Sequence, residues 1–270
     1  MSHSGSVASQ ATARDAARCR FLGITVYLIT AEELTAFIVD AVAHRQKCII
    51  ANHNLHSLYL IRRSPAMRAF CDEARMTHVD GMGIVWIGRV LGCPLRARHR
   101  VNCSELLERL LPVCASSGAR VMLLGAQPGV SERAAGHLRR QYAGLEVHVH
   151  HGYFSRGHDD EENSAVLRMI ANRRIDILIV GMGMPEQERW IVENFSAIAA
   201  TVVLNGGGII DLLAGVLPTP PRWVGRVGLE WLYRLLTAPK RVWFRYLVEP
   251  WFVLVAVVGE VLRRAARIGR

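Results

Sequence analysis

Between Phe21 and Ala214, short apolar runs alternate with longer stretches in which apolar residues recur every three or four positions. The runs at 24–28, 48–51, 76–79, 120–124, 145–150, 175–180 and 201–204 are strand candidates, and several are continuous in Val, Ile and Leu. A continuous apolar run is what a strand buried on both faces needs. Segments 31–44, 65–73, 83–91, 104–116, 130–142, 161–172 and 186–194 carry the helical period instead. This alternation predicts an α/β fold, a doubly wound, mostly parallel Rossmann-like sheet with helices on both faces. The Pro218-Thr-Pro-Pro221 cluster ends the pattern. The expected domains are a flexible lead-in over 1–20, a Rossmann-like domain over 21–217 and a basic, amphipathic helical appendage over 218–270.

Composition supports a large core, because 51% of the residues are hydrophobic. Met1 to Arg20 is rich in Ser, Ala and Arg and lacks the apolar stretch of a signal peptide, so no export signal is expected. The six cysteines (Cys19, Cys48, Cys71, Cys93, Cys103 and Cys114) show no C-x-x-C spacing. They read as reduced core thiols of a cytoplasmic protein.

The net charge of +10 is concentrated at the C-terminus. From Arg222 onward ten Lys/Arg face three acids, which leaves +7 in 49 residues, and four of the six tryptophans lie there. Arginine beside Trp, Phe and Leu suits an anionic membrane surface. Trp251 to Val258 is too apolar for a nucleic-acid face and too short to span a bilayer, which needs about 20 apolar residues. An in-plane or partly inserted helix is expected, with a core helix or a homo-oligomer interface as the alternative.

Candidate chemistry sits in the loops after the strands, where such sheets bind ligands. Asn52-His-Asn54 offers amides and an imidazole to sugar or phosphate oxygens, or is an Asn-rich turn with an N-cap. Asp80, at the end of a strand and before Gly81-Met-Gly83, is placed either to act as a general base or to cap the next helix. Gly125-Ala-Gln-Pro-Gly129 can admit a diphosphate to a helix N-terminus, or is a plain turn. Gly181 to Glu188 combines Gly181 and Gly183 with Pro185, Gln187 and Glu188. Asn205-Gly-Gly-Gly208, with Gly207, is a second turn without bulky side chains. His148, His150 and His151 cluster at a strand end, but no Cys or carboxylate is spaced to complete a metal site. There is no D-x-D pair, no dinucleotide fingerprint, which weighs against an oxidoreductase, and no G-x-S-x-G elbow.

In order, these pieces resemble the WecG/TagA/CpsF family of bacterial glycosyltransferases (glycosyltransferase family 26), from about Gly23 to Tyr246. The resemblance rests on Val79-Asp80-Gly81, Gly125–Gly129, Gly183-Met-Pro-Glu-Gln-Glu188, Gly228-Leu-Glu-Trp-Leu-Tyr-Arg234, Pro239, Arg241 and Arg245-Tyr246. It implies an inverting, metal-independent transferase without a cofactor. The donor would be a UDP-sugar and the acceptor an undecaprenyl-diphosphate-linked saccharide, at the cytoplasmic face of the inner membrane. It further implies Asp80 as base, with Arg100, Gln187 and appendage residues Glu230, Arg234, Arg241 and Arg245 binding donor or acceptor. Asn52, Asn54, Gly125, Gly183 and Gly207 complete the expected binding set.

The chain departs from the family pattern at Asn52, which replaces a Thr, at Glu105 and Glu186, and at Thr219. The Asn52–Leu58 run looks most like the GumM-type branch, which implies β-1,4 glucose transfer in exopolysaccharide precursor synthesis. The alternatives are N-acetylmannosaminyl transfer to teichoic-acid-like or enterobacterial-antigen-like lipid intermediates, and a nucleotide-binding membrane scaffold without turnover.

Overall fold

The computed structural model describes residues 16–157, 160–218, 224, 229–237 and 239–268. Strands β1 (Arg18–Phe21) and β2 (Ile24–Tyr27) form a separate antiparallel hairpin. The other six are β3 (Cys48–His53), β4 (Met76–Val79), β5 (Val121–Gly125), β6 (Val147–His150), β7 (Ile177–Gly181) and β8 (Val202–Asn205). They build one sheet in the order β4-β3-β8-β7-β5-β6, parallel at every pairing.

The helices of the α/β region are α1 (Ala31–Ala43), α2 (Leu55–Leu60), α3 (Pro65–Glu73), α4 (Met82–Val90), α5 (Cys103–Ser117), α6 (Val130–Gln141), α7 (Glu161–Asn172), α8 (Glu186–Asn194) and α9 (Ile209–Leu213). The appendage follows as α10 (Glu230–Thr237), α11 (Pro239–Trp243), a π-helical turn over Phe244–Val248 and α12 (Glu249–Ile268).

Successive strand residues point to opposite faces, and the two faces have separate cores. Val121 and Leu123, Ile177 and Ile179, Val202 and Leu204 pack with Leu34, Ile38, Leu107, Leu110 and Leu138 of α1, α5 and α6. Met122 and Leu124, Leu178 and Val180, and Val203 pack with Phe70, Ile170, Trp190 and Ile191 of α3, α7 and α8. Burial on both faces is why these strands read as unbroken apolar runs.

A third cluster lies beside the β4 edge. There Phe21, Ile24 and Val26 of the hairpin meet Leu58 of α2, Ile84 and Val85 of α4, and Val253 of α12.

Three expectations change. The run at 24–28 is not a strand of the large sheet. Leu22 and Gly23 both have positive φ (50° and 85°), which closes a tight hairpin. Arg18 to Arg20, expected in the flexible lead-in, form β1. Cys19 and Cys93 are joined in a disulfide with a Cα–Cα separation of 6.0 Å, so the six cysteines are not all reduced thiols; Cys48, Cys71, Cys103 and Cys114 are free. These two cysteines are 74 residues apart, and only the packing of the hairpin beside α4 brings them together. Residues 1–15 and the proposed boundary from Thr219 to Pro221 lie outside the described residues.

Candidate active site

Because all six strands are parallel, the loops after β3, β4, β5, β7 and β8 open along one edge of the sheet. Asp80 follows β4, and its N–H donates to the His53 carbonyl at 2.9 Å, which ties the β4 loop to the β3 loop. Gly81 is the N-cap of α4 and no side chain caps that helix, so the Asp80 carboxylate is not spent as a cap. Asn54 is the N-cap of α2, its Oδ1 accepting from Ser57 N at 3.1 Å. Its Nδ2 lies 3.5 Å from Asp80 Oδ2, so one amide serves both the helix and the carboxylate. Arg100 bridges to the end of β4 at Val79, beside Asp80, and Val101 N donates to Val79 O at 2.7 Å. The guanidinium of Arg100 is 14% exposed and 4.0 Å from Glu105.

Beneath this rim lies a buried polar chain. Asn52 Nδ2 donates to the Asn205 carbonyl at 2.9 Å, and Asn205 Nδ2 donates to Glu188 Oε1 at 2.9 Å. Gln187 Nε2 donates to the same Glu188 oxygen at 2.7 Å, and Gln187 Oε1 accepts from Gly207 N at 3.0 Å. Gln187 therefore ties the β7 loop to the glycine turn after β8. Asn52, Asn205, Gln187 and Glu188 are all buried. Asn52 Oδ1 and Glu188 Oε2 nevertheless have no partner. Buried acceptors without a donor are costly, and two at one strand edge are positions that a hydroxyl or N–H of a ligand would satisfy.

Burial raises the Glu188 carboxyl to about 7, against the pull of the Gln187 and Asn205 donors and of the Arg245 charge. A raised carboxyl contributes stability that is present below about pH 4.5 and lost as pH rises through about 7. His53 and His78, fully buried below the Asn54 and Asp80 loops, are pushed down to about 4 by burial, so their contribution runs the other way. Glu188→Gln removes only the first component. Between pH 4.5 and 7.5 the stability difference should therefore move in favour of the variant by up to about 3 kcal/mol. Urea denaturation of both proteins across that range measures it.

The glycines divide by role. A Cβ on Gly125 (φ 154°) would stand 2.2 Å from the Gly181 carbonyl oxygen, so Gly125 permits close approach of β5 and β7. Gly183 (φ 84°) has open space around it and turns the chain into α8. The histidines at the end of β6 have protein partners. His148 pairs with Glu146 at 3.0 Å, His150 stacks on His151, and no three His, Cys, Asp or Glu are grouped to hold an ion among the described residues.

The appendage reaches the same edge. Glu249, the first residue of α12, is buried and accepts from His56 Nδ1 of α2 at 2.7 Å. Arg63 lies over the rings of Tyr59 and Phe252, which ties α12 to α2 further. Arg245 sits close enough for its charge to act on Glu188. Arg234 is exposed on α10, and no described contact joins it to the rim. The side chains of Glu230 and Arg241, and residues Arg222 and Arg226, lie outside the described residues. His56 and Glu249 were not singled out in the sequence, and Asn205 was noted only as the start of its glycine turn. Each acquires its role from a partner far along the chain, and no local spacing signals it.

The chain matches the model of the Glycosyl transferase WecG/TagA/CpsF family over residues 19–267. It is 30% identical over 206 residues to an N-acetylglucosaminyldiphosphoundecaprenol N-acetyl-beta-D-mannosaminyltransferase of Staphylococcus aureus (strain NCTC 8325 / PS 47), covering 73% of this chain and 78% of the relative. The enzyme of the same name from strain MRSA252 is 29% identical over the same shares. These names agree with the N-acetylmannosaminyl alternative better than with glucose transfer, and they do not support the GumM-type branch. The match spans hairpin, sheet and appendage together, so the chain belongs to the WecG/TagA/CpsF family and is a glycosyltransferase.

Proposed function

We propose that this chain moves an N-acetylmannosaminyl-type sugar from a UDP-sugar to an N-acetylglucosaminyl-diphosphoundecaprenol acceptor, with inversion and without a metal ion. The observation that carries this reading is the meeting of Asp80, Asn54 and Arg100 with the Asn52–Asn205–Glu188–Gln187 chain on one strand edge. The names of the relatives support the acceptor and the sugar.

Asp80 takes the proton of the acceptor hydroxyl as that oxygen bonds to the anomeric carbon. The bond from that carbon to the diphosphate oxygen breaks, and its electron pair leaves with UDP. Arg100, Arg245 and the N–H groups of the glycine turns offset the charge that collects on the diphosphate.

The acceptor is membrane-bound, and the appendage suits a peripheral position at the cytoplasmic face. No helix among the described residues is long and apolar enough to cross a membrane. Trp251, Leu254, Val255, Val258 and Leu262 form an exposed apolar stripe at helical spacing along α12.

The test is a donor screen on defined lipid-linked acceptors with a chelator present. Transfer of N-acetylmannosamine is the expected result. A requirement for added divalent metal would overturn metal independence, and UDP binding without turnover of any donor would overturn the reaction. A second reading, glucose transfer, draws on Asn52, whose amide replaces a hydroxyl and whose Oδ1 is unpartnered. Glucose transfer to a glucosyl lipid in the same screen would establish it.

A further inference from the structure

Exposed apolar residues are not confined to the appendage. Helix α4 starts at the loop that carries Asp80 and ends in open surface, where Trp86 is 50% and Val90 67% exposed. Spacings of three and four residues put Trp86, Arg89 and Val90 on one face. The other face is occupied: Ile84 and Val85 pack against the hairpin and α12, and a Cβ on Gly88 would collide with Leu95. The outward residues are therefore free of any part in the core.

Arg89, in the last turn of α4, lines an open groove with Cys93, Pro94 and Arg96, which follow the helix. Between Asp80 and Glu105 the chain has four arginines and no acid. The guanidinium of Arg264, near the basic end of α12, donates to the Leu91 carbonyl at the C-terminal end of α4. The arginine groove and the basic end of the appendage are thus neighbours. Arginines around an exposed Trp and Val are the chemistry of an interfacial contact, with the ring at headgroup level and the guanidinium groups on lipid phosphates.

We propose that Trp86, Arg89 and Val90, together with Arg96, form a second contact for an anionic phospholipid surface, distinct from the α12 stripe. This inference rests on the peripheral membrane position proposed above. Asp80 lies six residues before Trp86, about 9 Å along a helix axis. A contact at α4 would therefore hold the mouth of the site at the bilayer, where the diphosphate of a prenyl-linked acceptor lies.

The experiment is sedimentation of the full chain with vesicles of phosphatidylcholine, alone or mixed equally with phosphatidylglycerol. Arg89→Gln/Arg96→Gln should weaken partition onto the anionic vesicles roughly fivefold per arginine, roughly 30-fold together, without changing it on phosphatidylcholine. Trp86→Ser/Val90→Ser should weaken it on the anionic vesicles as well. Turnover on a short-chain, water-soluble acceptor should stay at the wild-type rate for both pairs.

If both pairs sediment like wild type while Trp251→Ser/Leu254→Ser/Val258→Ser does not, the α4 contact is overturned and the appendage reading stands. If the wild-type chain ignores anionic vesicles, both fall. If Trp86→Ser/Val90→Ser instead alters the mass seen by sedimentation velocity and leaves vesicle binding intact, this face of α4 is an interface between copies, and the lipid contact is overturned.

Discussion

Asp80→Asn is expected to lower turnover a hundredfold to ten-thousandfold, roughly the range for loss of a general base. The change is nearly isosteric, and the remaining carbonyl oxygen can still accept from Asn54 Nδ2, 3.5 Å away in the native protein. The α4 N-terminus should be unaffected, because its cap is Gly81 and no side chain bonds to it. The loss should therefore appear in the chemical step, with UDP affinity and thermal stability close to wild type. Single-turnover transfer onto a lipid-linked acceptor and calorimetric UDP binding separate the two. Wild-type turnover in the variant would remove Asp80 from the base role and return the loop to a structural reading.

Gly125→Ala should unfold or severely destabilise the α/β domain, by roughly 3–5 kcal/mol. The backbone there has φ 154°, which side chains rarely adopt, and the new methyl would meet the Gly181 carbonyl oxygen at 2.2 Å. The obstacle is the neighbouring strand's backbone at the β5–β7 pairing, where no rotamer change can relieve it. Gly183→Ala is the internal comparison. It also has positive φ (84°), but open space surrounds it, so it carries backbone strain without a collision and should cost on the order of 1 kcal/mol. Urea denaturation of the two variants measures both. Equal losses would mean that the close approach of β5 and β7 contributes nothing beyond φ.

The helices over 65–73, 161–172 and 186–194 have the bounds that their periodicity indicates, because apolar spacing is a local property; only the first also has a side-chain cap, from Ser64. Helix α2 is different. It has six residues, too few for a period to register, and its evidence is the Asn54–Ser57 capping box. The candidate site was legible as a set of loops. Asp80, Gln187 and the glycines were visible because strand ends and turns mark themselves. What each does was not visible, since Gly125 proves to relieve a backbone contact and Asn54 both caps a helix and faces the carboxylate.

The amino-acid sequence by itself determined the alternation of strands and helices, the apolar strands of a doubly covered sheet, the loops that form the candidate site and the basic, tryptophan-rich end. All of these are properties of neighbours along the chain. Tertiary structure alone decided the strand order, the exclusion of the run at 24–28 from the large sheet, and the disulfide between Cys19 and Cys93. It also decided the Asn52–Asn205 pairing across 153 residues and the His56–Glu249 contact across 193. Those contacts form only when the loops after separate parallel strands gather on one edge and the appendage docks on α2. Their partners are chosen by packing of the whole chain, and no local pattern records the choice.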